Sequence, residues 1–159
     1  MHIHKRSEGF TIIELLVVVI VLGILLTLVF TTYSGVQAKN RNSDRQASID
    51  TLQSQLEAYY AQNSKYPTLG NLNDASWRQA NLKNLRSDDL QDPSWASKIS
   101  DCTVSGKSVV SAKPAKDCYS YQVTGSEGAA CDNSHVICAQ YTLTAMLEGG
   151  SKYVKGSLN

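Results

Sequence analysis

From Leu15 to Phe30 the chain carries no charged residue, and only Gly23 and Thr27 interrupt a series of large apolar side chains. Ahead of it, Phe10, Ile12 and Ile13 extend the apolar character, broken by Thr11 and by one acid, Glu14. A helix that is apolar on every side has to be buried on every side. A stretch near 20 residues is long enough to cross a bilayer. This run therefore restricts the fold to one whose first helix sits in lipid or against other helices. A secretory signal has a shorter apolar core followed by a small-residue cleavage site. No such site follows Phe30, so a cut is expected ahead of the run, near the basic head formed by His2, His4, Lys5 and Arg6.

The remaining length suits one modest domain beyond an anchor. Lys and Arg total 15 and Asp and Glu total 14. Removing Lys5, Arg6 and Glu8 with a leader makes the two sets equal. Such a balance gives no global attraction to nucleic acid or to acidic lipid. Lys5 and Arg6 favour a cytoplasmic N-terminus, whereas Lys39, Arg41 and Arg45 beyond the run favour the opposite orientation.

Helical periodicity continues past the apolar run. Thr31, Thr32, Tyr33, Ser34 and Gly35 form a soft point of weak helix formers. Residues Gln37 to Gln46 are polar on every face except at Ala38. Ile49, Leu52, Leu56 and Tyr59 then recur at steps of 3, 4 and 3, with Tyr60 beside them, and predict one buried stripe. Tyr66-Pro67 ends the helix, because the residue before proline is pushed out of helical geometry. A pair of helices hinged near Gly35 is the alternative to one long helix. Residues 64–100 predict a connecting region with short helices, packed through Leu72, Trp77, Leu82, Leu85 and Leu90.

The C-terminal part alternates with period two, as half-buried antiparallel strands do. Tyr119, Tyr121 and Val123 alternate with Ser120, Gln122 and Thr124. Ile137, Ala139, Tyr141, Leu143, Ala145 and Leu147 alternate with Cys138, Gln140, Thr142, Thr144, Met146 and Glu148. In-phase pairing sets Val123 opposite Ile137 and Tyr119 opposite Tyr141. Gly149-Gly150 predicts a turn into a last strand at Lys152–Lys155, and Gly106 a further hairpin between Cys102 and Val110. The Ile49–Tyr60 stripe is the available cover for the apolar face of this sheet.

Four cysteines, Cys102, Cys118, Cys131 and Cys138, lie in the last third. An even number in an exported domain predicts two disulfides with three possible pairings. The local closures Cys131–Cys138 and Cys102–Cys118 are preferred. The strand reading places Cys118 and Cys138 on the polar faces of their strands. No histidine stands at ligand spacing, so no metal is expected. Asp88, Asp89 and Asp92 lack the ordered spacing of a calcium loop and predict a solvated acidic turn. No nucleophile has an evident base and orienting group, so no catalytic residue and no cofactor is expected. His135 is read as a surface residue. Lys113, Lys116, Lys152 and Lys155 are read as scattered solvated lysines rather than as a patch for nucleic acid.

Gly9-Phe10-Thr11-Ile12-Ile13-Glu14, behind a basic head and ahead of the apolar run, resembles the signature of type IV pilin and pseudopilin precursors. The resemblance implies cleavage between Gly9 and Phe10 by a prepilin peptidase and N-methylation of Phe10. It implies an assembly role for Glu14, pairing with the Phe10 amine of an axially shifted neighbour. A charge inside a membrane segment is by itself a pointer to function. Gly23 matches a mid-helix glycine of the family, whereas Thr31 stands where many members have proline.

The fold expected is α+β, the pilin fold: a long N-terminal α-helix, transmembrane in its first half, packed on a C-terminal antiparallel β-sheet. The divisions are a leader at residues 1–9, a transmembrane and assembly helix at 10–30, its amphipathic continuation at 31–63, the connecting region at 64–100 and a disulfide-bearing sheet at 101–159. The expected role is a structural subunit of a type IV pilus-like surface filament serving adhesion, twitching motility or DNA uptake. The alternative within the family is a pseudopilin of a type II secretion or competence apparatus. The alternative of another class is a membrane-anchored adhesin or binding module that never polymerises. The partners implied are other copies of the chain or other pilins, the peptidase, an assembly platform, an ATPase and the membrane. The C-terminal domain is expected outside a single-pass anchor, and in an extracellular pilus or envelope-spanning pseudopilus after assembly.

Overall fold

The computed structural model describes residues 10–94 and 110–159, without side chains at 29–32, 34, 87 and 88. Two compact units divide the chain, one ending at Ala38 and the other running from Lys39 to Asn159. The first helix, α1, is assigned as one element, Ile12–Asn63. The helix assignment runs through Gly35 without a break. Each weak helix former there costs at most about 1 kcal/mol, too little to break a helix continued strongly on both sides. In the first unit the described apolar side chains from Ile12 to Leu28 are exposed in the isolated chain.

The second unit is built on the predicted stripe. Ile49, Leu52 and Leu56 are buried, and Tyr59 and Tyr60 are partly buried against the same cluster. Two short helices follow, α2 (Leu69–Asn73) and α3 (Ala75–Asn81), then a 3₁₀ turn at Ser87–Leu90. Thr68 caps α2 in a reciprocal box with Asn71, and Asp74 caps α3 through the amides of Ser76 and Trp77. These caps satisfy backbone donors that so short a helix leaves open. Leu72, Leu82 and Leu90 join the core, with Trp77 and Leu85 at its margin.

Four strands, β1 (Val110–Ser111), β2 (Tyr119–Thr124), β3 (Gln140–Met146) and β4 (Lys152–Gly156), form one sheet in sequence order. β2, β3 and β4 pair antiparallel as expected, whereas the two-residue β1 pairs parallel to β2, so the sheet is mixed. A turn closed by the Ala115–Cys118 bridge, with Asp117 at a φ of 58°, brings the chain back beside β1 in the same direction. Tyr119, Tyr121, Tyr141, Leu143 and Ala145 face the α1 stripe within one buried cluster.

The β2–β3 register differs from the expected one. Val123 lies opposite Tyr141 and Tyr121 opposite Leu143. The parity is retained, so the same residues face inward, but Ile137 and Cys138 leave the ladder because a disulfide-closed loop claims them. Ile137 is exposed rather than buried. Cys118 and Cys138 are buried outside the strands, not set on polar strand faces. Ser120 and Thr144, opposite one another on the nominally solvated face, are buried too, so the sheet is partly covered on both sides. The hairpin expected through Gly106 lies outside the described residues apart from Val110. Gly149 and Gly150 form the β3–β4 turn at φ of 93° and 87°, a region that L side chains rarely adopt.

Two polar joints fasten α1 to the rest of this unit. Arg45 continues the buried stripe one turn toward the N-terminus, and its side chain is only 2% exposed. It makes a bidentate pair with Asp92, Nε–Oδ2 2.7 Å and Nη2–Oδ1 2.9 Å, and also donates to Ser94 and Asn42. Asp92 is equally buried, so the acidic turn expected to be solvated is, at this residue, half of an interior ion pair. The carboxylate of Glu57 is the second joint. It accepts from the hydroxyls of Tyr66 and Tyr141, the amide of Leu158 and the side-chain amide of Asn159.

Candidate functional site: the N-terminal segment and the two ends of the sheet

Phe10 and Thr11 precede the first turn of α1, and Phe10 is exposed. Gly9 lies outside the described residues. The Thr11 amide and hydroxyl both donate to Glu14 Oε2, at 2.9 Å and 2.8 Å, and the Glu14 amide donates back to Thr11 Oγ1 at 3.3 Å. Thr-x-x-Glu with reciprocal bonds is a capping box. Glu14 therefore has a helix-capping task within its own chain. The Thr-x-x-Glu spacing that forms this box is present in the sequence. Both Thr11 donors use Oε2.

The Thr27 hydroxyl donates to the Gly23 carbonyl at 2.7 Å, an internal bond that removes a polar group from an apolar surface. A Cβ at Gly23 would touch nothing within 4 Å; packing within the chain does not require the glycine. Among the described residues no helix is long and apolar enough to cross a membrane. The side chains described without a break from Ile12 end at Leu28, short of the ~20 residues of a crossing.

In the second unit the two ends of the β2–β3 pair differ in character. At the end where β3 finishes and β2 begins, a cleft of about 760 Å³ is lined by Arg41, Lys116, Asp117, Glu148 and the Gly149-Gly150 turn, with Met146, Leu147 and Pro93 as apolar lining. Glu148 joins Arg41 in a two-point ion pair that includes an Nη2–Oε2 contact of 2.8 Å. That pairing holds its carboxyl down at about 2. Arg45 Nη1 reaches Glu148 Oε1 at 3.4 Å.

At the opposite end, Gly125 to Ala139 form a loop closed by the Cys131–Cys138 disulfide. Asp132 accepts the amides of Ser134, His135 and Val136 and the His135 ring, which together hold its carboxyl well below the usual range. His135 is exposed and serves this turn. Cys118 is disulfide-bonded, and the expected Cys102–Cys118 pairing lies outside the described residues. Among the described residues no cluster of His, Cys, Asp and Glu is placed to hold a metal ion. Asp89 caps the Arg86 amide. Of the four lysines, Lys155 pairs with Asp50 at 3.2 Å and lies over the Tyr153 ring, and Lys116 borders the cleft.

Residues 4–30 match the model of the prokaryotic N-terminal methylation motif. The chain is 39% identical over 64 residues to the type II secretion system core protein G of Dickeya chrysanthemi, covering 40% of this chain and 42% of that protein. It is 36% identical over 64 residues to the core protein G of Aeromonas hydrophila, covering 40% and 45%. To the type IV major pilin protein PilA of Myxococcus xanthus it is 27% identical over 68 residues, covering 43% and 31%. The aligned region spans less than half the length of these curated relatives. No solved structure matches the chain. With this motif and these relatives, joined to a helix-on-sheet α+β fold, the chain is similar to the pilins and pseudopilins.

Proposed function

We propose that this chain is a pseudopilin, a structural subunit of a secretion-type filament, cleaved between Gly9 and Phe10 and assembled through α1. The observation that carries the choice of secretion over a surface pilus is the similarity to secretion core proteins G from several organisms. The pilin relative at 27% identity favours a surface pilus as the second reading. In either, the apolar run to Phe30 holds the subunit in the membrane, with the sheet outside, until neighbouring helices replace lipid around it. A prepilin peptidase, an assembly platform and an ATPase are the partners of this scheme, and the protein's own role is structural rather than catalytic.

Glu14 has two tasks in the scheme. Oε2 completes the first turn of its own helix, and Oε1 meets the new amine of Phe10 in a neighbouring subunit. Two opposite charges brought together in a dry filament interior offset each other's desolvation. The decisive test is the intact mass of the protein from its native cell, joined to a secretion assay. A mass starting at methylated Phe10, with loss of protein export on deletion of the gene and no loss of long surface fibres, is the expected result. Glu14→Ala should leave the subunit in the membrane and abolish filament yield. Retention of residues 1–9, or normal yield from that variant, would overturn the scheme.

A further inference from the structure

Arg41 and Arg45 each turn the edge formed by Nε and Nη2 toward a carboxylate, Arg41 to Glu148 and Arg45 to Asp92. That edge carries two parallel N–H donors, which match the two oxygens of a carboxylate. Arg78, inside α3, is buried as well, with 8% of its surface exposed. Its Nη1 donates to the Leu72 carbonyl at 2.7 Å. Its Nε–Nη2 edge has no partner among the described residues. The fully buried side-chain atoms left without a partner among the described residues are the hydroxyls of Tyr119 and Ser120. The open edge of Arg78 is not one of them, so it lies in the part of the side chain that solvent still reaches.

A cation drawn out of water with one neutral hydrogen bond is costly to hold. Desolvation accordingly pulls the Arg78 pKa down, whereas the bonds from Asp92 push that of Arg45 up. Asp74 is the acid whose field reaches Arg78. It is exposed, accepts the amides of Ser76 and Trp77 as the cap of α3, and makes no ion pair with Arg78. Its negative field partly offsets the cost of the buried cation, and it disfavours a doubly charged partner more than a singly charged one.

We propose that Arg78 is a binding site for a carboxylate ligand, taken edge-on by Nε and Nη2 as Arg45 takes Asp92. The site lies outside α1 and does not depend on the filament reading above. The carboxylate can come from a free small acid or from an acidic side chain of another polypeptide; the chemistry at Arg78 is the same.

The test uses the detergent-solubilised full chain, with acetate as the probe and sodium chloride at equal ionic strength as the control. Acetate should shift the Arg78 Nε resonance saturably and raise the urea midpoint, because a ligand of the folded state stabilises it by mass action. N-acetylglutamate amide stands in for a protein side chain, and whichever probe binds tighter names the source. Arg78→Lys keeps the charge but loses the fork and should weaken binding about tenfold. Arg78→Met removes the charge at similar volume; it should fold at least as well as wild type and lose the acetate response. Asp74→Asn keeps the cap and should bind acetate more tightly. An acetate effect no larger than that of chloride, or one that persists in Arg78→Met, overturns the site. So does a large loss of stability in Arg78→Met, since the charge would then be met within the chain. Phosphate binding tighter than acetate overturns the assignment to a carboxylate.

Discussion

Removing the carboxylate of Asp92 tests how α1 is held in the second unit. In Asp92→Ala, Arg45 loses contacts of 2.7 Å and 2.9 Å in a site where both side chains are 2% exposed. The nearest remaining acids are Glu148 at 3.4 Å and Asp117 at 3.7 Å, too far to replace a bidentate pair. Stripping one partner from a buried ion pair costs about 3–5 kcal/mol. Against a total stability of about 5–15 kcal/mol for a domain of this kind, that is a third or more of what holds the fold. Urea unfolding of the detergent-solubilised full chain, followed by near-ultraviolet circular dichroism, should show the loss as a lower midpoint with unchanged slope. Replacing both partners, as Arg45→Met with Asp92→Leu, removes the desolvation cost together with the attraction and should recover most of the loss. A single variant within about 1 kcal/mol of wild type would refute the assignment of Arg45–Asp92 as a buried pair. So would a double variant as unstable as the single.

Three further outcomes are expected. Glu148, whose carboxyl is held down at about 2 by Arg41, contributes stability above its unfolded pKa of ~4.3 that is lost as pH falls toward 2; Glu148→Gln should flatten unfolding free energy against pH in that window, and an unchanged slope would reject the linkage. Burial pushes the phenols of Tyr66 and Tyr119 up from 10.0 to about 12, so their contribution is complete below pH 10 and lost as pH rises through 12; the tyrosinate absorbance missing from Tyr66→Phe and Tyr119→Phe relative to wild type should appear together with unfolding, and a difference already complete at pH 10 would contradict it. At Gly125 an added Cβ would lie 2.5 Å from Val136 Cγ1 and 3.1 Å from the Ile137 carbonyl, so Gly125→Ala should cost about 1–3 kcal/mol, and adding Val136→Ala should return only the part due to the side chain.

The stripe Ile49, Leu52 and Leu56 was legible because apolar side chains at helical spacing have one economical destination. Arg45 occupies the same stripe four residues earlier, yet its chemistry argued for solvent. Its burial depends on Asp92, and no local pattern announces a partner 47 residues away. The strand parity of Tyr119 to Val123 and Tyr141 to Ala145 followed from alternation. The register did not, because the disulfide loop rather than a minimal turn decides where β3 begins. Parallel β1 is too short to leave any periodic trace. At the N-terminus, Thr11 and Glu14 stand at capping-box spacing in the sequence, and the geometry shows the reciprocal bonds that complete the box.

The carboxylate of Glu57 gathers donors from the residues beyond the helix, from β3 and from the chain's final described residues. A carboxylate only accepts, whereas glutamine would turn an amino group toward some of these donors. The position is consequently unforgiving: a change of a single atom type there would loosen three distant stretches at once, a fragility concentrated in one side chain that neither the helix nor the sheet could absorb by itself.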